Sequence, residues 1–222
     1  MRRLSRALLG ATALLGLAVS AMAATIDTTG QDTGTIYSFG SPNTATCGQT
    51  FSPVGGQTQM TGFSLFVRDR WEGSGTLDLR GYVAGWDGSK ATSILFESAT
   101  QTMNADGTLQ EFAFATNLAL AAGGQYVAFL SVSNLAAQAG SEFGMPQSGD
   151  LTPGAFVFLN NGTTFSDLTS SAWSIGWVGS DDAWFKASFV PGAPVPEPAT
   201  LALFGLGIAA LGVARGRRRR SA

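Results

Sequence analysis

The chain has 222 residues and a formal net charge of −2, but its two ends hold eight of the thirteen basic residues. The stretch between them carries five basic and fourteen acidic residues, a net charge of −9, which repels phosphate groups and argues against nucleic-acid binding. With no histidine and a single cysteine, the sequence also excludes Ser-His-Asp and Cys-His catalysis and the usual Cys/His zinc sites.

The N-terminus has the three parts of a secretory signal peptide. Residues 1–6 are basic, residues 7–20 are apolar, and Ala21-Met22-Ala23 forms a cleavage site of small residues. The apolar run is shorter than a membrane-spanning helix requires. The sequence therefore predicts a signal peptide at residues 1–23, cleaved at a site defined by Ala21 and Ala23. The exported chain would begin at Ala24.

The segment that follows, residues 24–50, is rich in Thr, Gly and Ser, and we expect a loosely held lead-in with one strand near residues 36–39. It contains Cys47. A lone cysteine in an exported protein is compatible with a free thiol or with intermolecular pairing. We favour a small, partly buried residue, because unpaired cysteine usually behaves as a small hydrophobe.

Residues 24–190 form a single domain whose pattern is all-β. Apolar residues alternate with period two in short runs, and turn residues such as Asp87-Gly88 separate these runs. The strand spacing predicts a two-sheet sandwich with jelly-roll connectivity. Helices are favoured only at residues 117–122 and 134–138. The predicted strands are residues 61–68, 77–84, 93–98, 109–115, 125–133, 155–159 and 183–190.

The alternation also predicts which face of each strand is buried. One face of the strand at 125–133 carries Tyr126, Ala128, Leu130 and Val132, and we expect it to face the core. In the last strand Phe185 and Phe189 point one way, and Trp184 and Lys186 point the other.

Carboxylates are candidates for two kinds of chemistry. A glycosidase needs a pair of them across the scissile bond, and calcium prefers carboxylate and carbonyl oxygens. No spacing matches a defined calcium loop, and solvated turns and strand edges explain most acidic residues. We therefore predict no cofactor, with calcium as an open alternative. The catalytic candidates are Asp69, Glu72, Asp87, Glu97, Glu111, Asp181 and Asp182, and the calcium candidates are Asp150, Asn160, Asn161, Asp181 and Asp182.

Five tryptophans are many for a domain of this size. An exposed indole can stack on a sugar ring, although most tryptophans are largely buried. Trp86 and Trp184 fall on the faces opposite the predicted core, so these two and Trp71 are the candidate glycan contacts. Asn161-Gly162-Thr163 fits a glycosylation sequon, but Asn-Gly between two strands is better explained as a hairpin turn.

The C-terminal 32 residues have a separate organisation. Residues 191–198 form a linker that contains Pro196-Glu197-Pro198, residues 199–214 are uncharged and predict a transmembrane helix, and residues 215–222 are a basic tail that is held on the cytoplasmic side. An ordinary membrane anchor is the alternative, but such an anchor would not need the Pro-Glu-Pro sequence.

This arrangement resembles the PEP-CTERM sorting signal of Gram-negative bacteria. The resemblance rests on residues 195–200, the glycine-containing apolar stretch and the arginine cluster, and the body is similar to the β-sandwich domains that often accompany the signal. It implies that Pro196, Glu197 and Pro198 are recognised by an exosortase-type membrane protease. The chain would then pass transiently through the inner membrane to the cell surface or biofilm matrix.

We therefore expect a non-enzymatic, exported protein that contacts polysaccharide through exposed aromatic side chains. Two alternatives remain open from the sequence. One is a carbohydrate-active enzyme that uses two carboxylates, and the other is a structural matrix protein that self-associates through its sandwich.

Overall fold

The computed structural model describes residues 23–40, 44–69, 75–136, 143–151, 153–176 and 181–192. The predicted signal peptide, transmembrane helix and basic tail lie outside these ranges, and so does the Pro-Glu-Pro sequence. These features stay predictions as far as the structure is concerned. Ala23, one of the two predicted cleavage residues, is exposed and directly precedes the first strand.

The described ranges contain fourteen strands and one short helix. The strands are β1 (Ala24–Asp27), β2 (Gly34–Phe39), β3 (Thr46–Phe51), β4 (Gln59–Asp69), β5 (Thr76–Trp86), β6 (Ala91–Glu97), β7 (Gln101–Asn104), β8 (Leu109–Ala119), β9 (Tyr126–Ser131), β10 (Phe143–Ser148), β11 (Phe156–Leu159), β12 (Ser174–Ile175), β13 (Asp182–Ala183) and β14 (Phe185–Val190), and the helix is α1 (Asp167–Ser170).

The strands form two antiparallel sheets. Sheet A is centred on β4, which pairs with β14 and β10 along one edge and with β8 along the other, and β1 lies beyond β14. Sheet B runs in the order β12, β11, β3, β9, β5, and β6 and β7 share the outer edge of β5. The prediction of an all-β domain is confirmed, while the jelly-roll connectivity stays a prediction.

The inner faces of the two sheets share one hydrophobic cluster. Sheet A contributes Leu65 and Phe185, and sheet B contributes Leu79 and Leu130, all of which are fully buried. The period-two assignments for β5, β9 and β14 are confirmed, because their predicted core faces lie in this cluster. Burial of apolar surface between the sheets is the main force that holds them together.

A second cluster lies on the outer face of sheet B. It is built on Tyr82 and Phe129, whose rings stack with centroids 5.0 Å apart. The chain after β11 folds over this face and supplies Leu168 from α1 and Trp173, both of which are buried. The indole N–H of Trp173 donates to the Leu168 carbonyl at 2.9 Å, which holds the covering segment together.

The structure corrects the predictions made from the sequence for the lead-in and for the two helices. The predicted loose lead-in contains β1, β2 and β3, and every residue of β3 is buried. The helix predicted at residues 117–122 is also wrong, because residues 117–119 continue β8 and residues 120–122 are not helical. Of the stretch 134–138, the described residues 134–136 are not helical either.

Candidate functional site

Cross-strand rows of side chains cover the outer face of sheet A. The register aligns Ala115, Gly62 and Ser188 in one row, and Ala113, Ser64 and Lys186 in the next. Glu111 lies opposite Phe66 at the following position, on the side where Trp184 precedes β14. The face therefore carries small side chains at its centre and aromatic side chains at one end, and we call it the platform.

Trp184 is held in a fixed orientation at this end of the platform. Its indole N–H donates to the Gln31 carbonyl at 2.6 Å, and its backbone N–H donates to the Pro146 carbonyl at 2.9 Å. Its ring meets the Phe66 ring nearly at a right angle, with centroids 5.8 Å apart. The side chain remains half-buried, so part of its apolar surface faces solvent.

Two charged side chains border the same aromatic pair. The Lys186 ammonium lies 5.1 Å from the centre of the Phe66 ring, close enough for a cation–π attraction. It also lies 3.9 Å from a carboxylate oxygen of Glu111. Both charges are partly exposed, so their mutual attraction is weakened by solvent. They place a donor and an acceptor beside an apolar ring.

A shallow groove of about 430 Å³ runs along the platform beside Lys186. This space is open because the outward-facing side chains around it, such as those of Gly62, Ala113 and Ala115, are small. The groove offers hydroxyl groups, a cationic donor and low apolar walls within one surface. It is lined by Gly62, Phe63, Ser64, Ala113, Phe114, Ala115, Lys186 and Ser188.

The other two tryptophan candidates do not join Trp184. Trp86 lies on the outer face of sheet B, half-buried, with its ring at a steep angle to Trp173 and the two centroids 5.7 Å apart. It thus borders the covered cluster on the opposite side of the sandwich. Trp71 lies outside the described residues, as does Trp177. Sequence alternation identified Trp184 as outward-facing, but it did not single out Phe66 or Lys186 as its neighbours.

The candidate carboxylates are spread over the domain and are held by separate partners. Asp87 accepts backbone N–H groups of Lys90 and Ser89 in a turn, which lowers the pKa of its carboxyl. Glu97 accepts from the Arg80 guanidinium at 2.5 Å and from the Tyr82 hydroxyl at 3.3 Å. Burial, followed by the charge of Glu97, raises the pKa of Tyr82 to about 12.

The remaining carboxylate candidates lie at three further places. Asp69 ends β4 next to β10, and Glu111 lies on the platform. Glu72 lies outside the described residues. Asp181 accepts from the half-buried Gln147 amide, whereas Asp182 is fully buried and accepts from the buried Gln49 amide and from the Leu151 backbone N–H.

Four of the five residues that were candidates for calcium use their side-chain oxygen atoms in other contacts. Asn160 accepts from the Thr44 hydroxyl at 2.8 Å, and the buried Asn161 accepts from the Thr46 hydroxyl at 2.9 Å. Asp150 is exposed on its loop. Within the described ranges, no group of three or more Cys, Asp or Glu side chains is arranged to hold a metal ion. The Asn161 amide also donates to Thr164, which makes it part of a turn rather than an accessible glycosylation acceptor.

Cys47 is a small buried residue of β3, as the sequence analysis favoured. It is 2% exposed and forms no disulfide. Burial raises the pKa of its thiol far above the usual value, so it is protonated at neutral pH. It lies at the edge of a cleft of about 230 Å³ between the two sheets, next to Ile36 and Phe158.

The C-terminal tail matches a described protein-sorting motif. Residues 194–220 match the family model described as the PEP-CTERM protein-sorting motif. The chain carries a PEP-CTERM sorting signal. This signal implies export, processing by an exosortase-type membrane enzyme, and sorting at the membrane toward the surface. No curated protein and no solved structure shows significant similarity to the chain. In the part of the chain that the structure describes, no helix is long and apolar enough to cross a bilayer.

Proposed function

We propose that this PEP-CTERM protein is a non-enzymatic component of the cell envelope or extracellular matrix that contacts polysaccharide through the platform of sheet A. The observation that carries the proposal is the fixed, half-buried Trp184 ring, which lies on the same face as Lys186, a residue that lines the groove of small side chains. The sorting signal supplies the location, and the groove supplies a surface that a chain of sugar rings can follow.

The chemistry of the platform matches that of a sugar ring. A pyranose has an apolar face, which stacks on an aromatic side chain, and a rim of hydroxyl groups, which exchange hydrogen bonds with polar neighbours. Trp184 supplies apolar surface, and its only donor is occupied by Gln31, so stacking is the contact left to it. Lys186 and Glu111 supply a donor and an acceptor beside the adjoining Phe66 ring, and Ser188 supplies a hydroxyl group farther along the groove.

Orientation adds to this argument. An indole whose nitrogen and backbone are both hydrogen-bonded does not lose much rotational freedom when a ligand binds, and preorganisation of this kind raises affinity. We expect the affinity for one sugar unit to be weak, and we expect it to rise when several units of the same chain lie along the groove.

The test compares two tryptophans on opposite faces of the sandwich. The full chain, purified in a mild detergent, is run through native gels that contain matrix or envelope polysaccharide, and retardation is measured. Trp184→Ala is expected to abolish most of the retardation, while Trp86→Ala, whose ring borders Trp173, keeps it. Circular dichroism checks that both variants remain folded.

Three outcomes are informative. If Trp184→Ala is retarded as strongly as the wild type, the platform is not the contact surface. If Trp86→Ala loses retardation and Trp184→Ala does not, the contact lies on sheet B. If no polysaccharide retards the wild-type chain, the glycan part of the proposal is wrong, while sorting by the C-terminal signal is unaffected.

A further inference from the structure

The strand β8 forms a long edge of sheet A. It has eleven residues, spans about 37 Å at about 3.4 Å per residue, and pairs along one side with β4. Its other side carries no strand among the described residues. An edge of this length presents backbone N–H and C=O groups that another strand can pair with.

One hydrogen bond shows which residues of β8 direct their backbone N–H and C=O groups toward the unpaired edge. The Gln101 side-chain amide donates to the Ala113 carbonyl at 3.3 Å, from the side away from β4. In an antiparallel ladder the N–H and C=O of one residue point the same way, and alternate residues share that direction. Glu111, Ala113 and Ala115 therefore direct their backbone groups outward along the free edge.

The strand lacks the usual features that prevent edge pairing. Natural edges are interrupted by Pro, Lys or inward-pointing charges. The sequence of β8 has no Pro, Lys or Arg, and its single charge is Glu111. The hydrogen bond from the Gln101 amide to the Ala113 carbonyl is at the outer limit of hydrogen-bond distance. Among the described side chains, it is the one hydrogen bond that occupies a backbone group of Ala113.

A cleft beside the free edge favours an apolar partner strand. It has a volume of about 330 Å³ and opens between β8 and the strands β6 and β7 of sheet B. Phe96 and Phe114 contribute its apolar side, next to the exposed Ala113 and Ala115. A strand added to β8 would direct every second side chain into this cleft.

We propose that the free edge of β8 pairs with β8 of a second copy of this chain, in an antiparallel arrangement with a two-fold axis at Ala113. Such an axis pairs Glu111 with Ala115 of the partner, so that no like charges face each other. It pairs Phe112 with Phe114 of the partner, so that two phenylalanines from each copy extend the apolar layer between the sheets. Each copy then closes the cleft of the other.

Self-complementarity is the reason to prefer a second copy over an unrelated peptide. In an isologous pair the same strand supplies both sides of the contact. Residues 112–115 meet this requirement, because exposed alanine side chains alternate with buried phenylalanine side chains. Because the contact uses one edge of each copy, it ends at a dimer rather than growing into a fibre.

Cysteine cross-linking tests both the dimer and its register. Full-length Ala113→Cys, treated in mild detergent with a one-methylene bis-thiosulfonate, is expected to form a covalent dimer, because paired Cα atoms at this position lie about 5.5 Å apart. Ala115→Cys is the matched control, since its two copies would be about 14 Å apart. A mixture of Ala115→Cys with Glu111→Cys is expected to cross-link again.

Two further variants measure the strength of the contact by sedimentation. Ala113→Pro removes the outward N–H without touching the ladder to β4, and it should weaken dimerisation about thirtyfold, the loss expected for two backbone hydrogen bonds. Gln101→Ala frees the Ala113 carbonyl and should therefore strengthen dimerisation. A chain that stays monomeric up to about millimolar concentration, or Ala115→Cys that cross-links as readily as Ala113→Cys, would overturn the proposal. If Ala113→Pro does not fold, the cysteine variants still decide.

Discussion

The buried pair Gln49 and Asp182 provides the sharpest test of how the two sheets are joined. Gln49 lies on β3 of sheet B and Asp182 on β13 of sheet A, and both side chains are fully buried. The Gln49 amide donates to Asp182, and its oxygen accepts the Ala183 backbone N–H at 2.9 Å. We predict that Gln49→Met, which approximately keeps the volume but removes the hydrogen bonds to Asp182 and Ala183, strongly lowers the free energy of unfolding.

The magnitude follows from the two groups left behind. An unsatisfied buried N–H costs about 1–3 kcal/mol, and a lost hydrogen bond to a charged group costs about 1.5–3 kcal/mol. Asp182 keeps the Leu151 N–H, which limits the loss at the carboxylate. We therefore expect a cost of about 3–5 kcal/mol, a large share of the 5–15 kcal/mol that is typical of a domain.

The matched control is Gln147→Met, the same change beside the neighbouring carboxylate. Gln147 donates to Asp181, but both side chains are half-buried and water can replace the lost bond. Urea denaturation followed by tryptophan fluorescence should give a cost below about 1 kcal/mol for this variant. The reasoning that buried polar groups join the sheets would be refuted if both variants lowered the free energy of unfolding equally, or if Gln49→Met lowered it by less than about 1 kcal/mol.

Three other predictions follow from the structure. Burial is the main cause that raises the folded-state pKa of Tyr82 to about 12. The stability that its neutral form contributes is therefore present below the unfolded pKa of about 10 and is lost as pH rises through the folded pKa. The free energy of unfolding of the wild type should fall more steeply over this pH window than that of Tyr82→Phe. Gly48→Ala should lower the free energy of unfolding by more than about 2 kcal/mol, because the added Cβ would lie 2.5 Å from the Ala128 carbonyl oxygen and from Phe129 Cβ. Gly30→Ala, which has open space around the added Cβ, is the control in the same denaturation assay. Cys47 should react with a thiol reagent only after urea is added, and labelling of the native chain at the unfolded rate would contradict its burial.

The parts of the fold that could be predicted are those in which one strand face is apolar. Alternation of Leu77, Leu79 and Val83 was sufficient to place β5, because adjacent residues face opposite sides of a sheet. The strand β3 could not be predicted this way, since its Gln49 and Thr46 are buried through hydrogen bonds to residues more than 110 positions away. Polar residues of this kind resemble a loop in sequence until their partners are known.

The same limit applies to the candidate site. Alternation along the last strand identified Trp184 and Lys186 as outward-facing, and the structure agrees. The groove beside them could not be seen, because its small residues come from β4, β8 and β14, which are far apart in the chain. The tail was recognisable from sequence because its motif is contiguous and requires no tertiary contact.

The contrast between the two outer faces supports assigning function to sheet A. The outer face of sheet B carries an apolar cluster that the segment containing α1 covers, and the aromatic residues of this cluster pack against one another. The described face of sheet A carries small and charged side chains around one fixed indole, which is a poor surface for internal packing and a suitable one for a polar ligand. The chain enters and leaves the described body on this same sheet, because Ala24 pairs with Phe189. The predicted cleavage residue Ala23 directly precedes β1, and the linker to the sorting motif begins directly after β14. The platform strands β4, β8 and β14 all lie between the two predicted processing sites, so the processed chain would retain each of them.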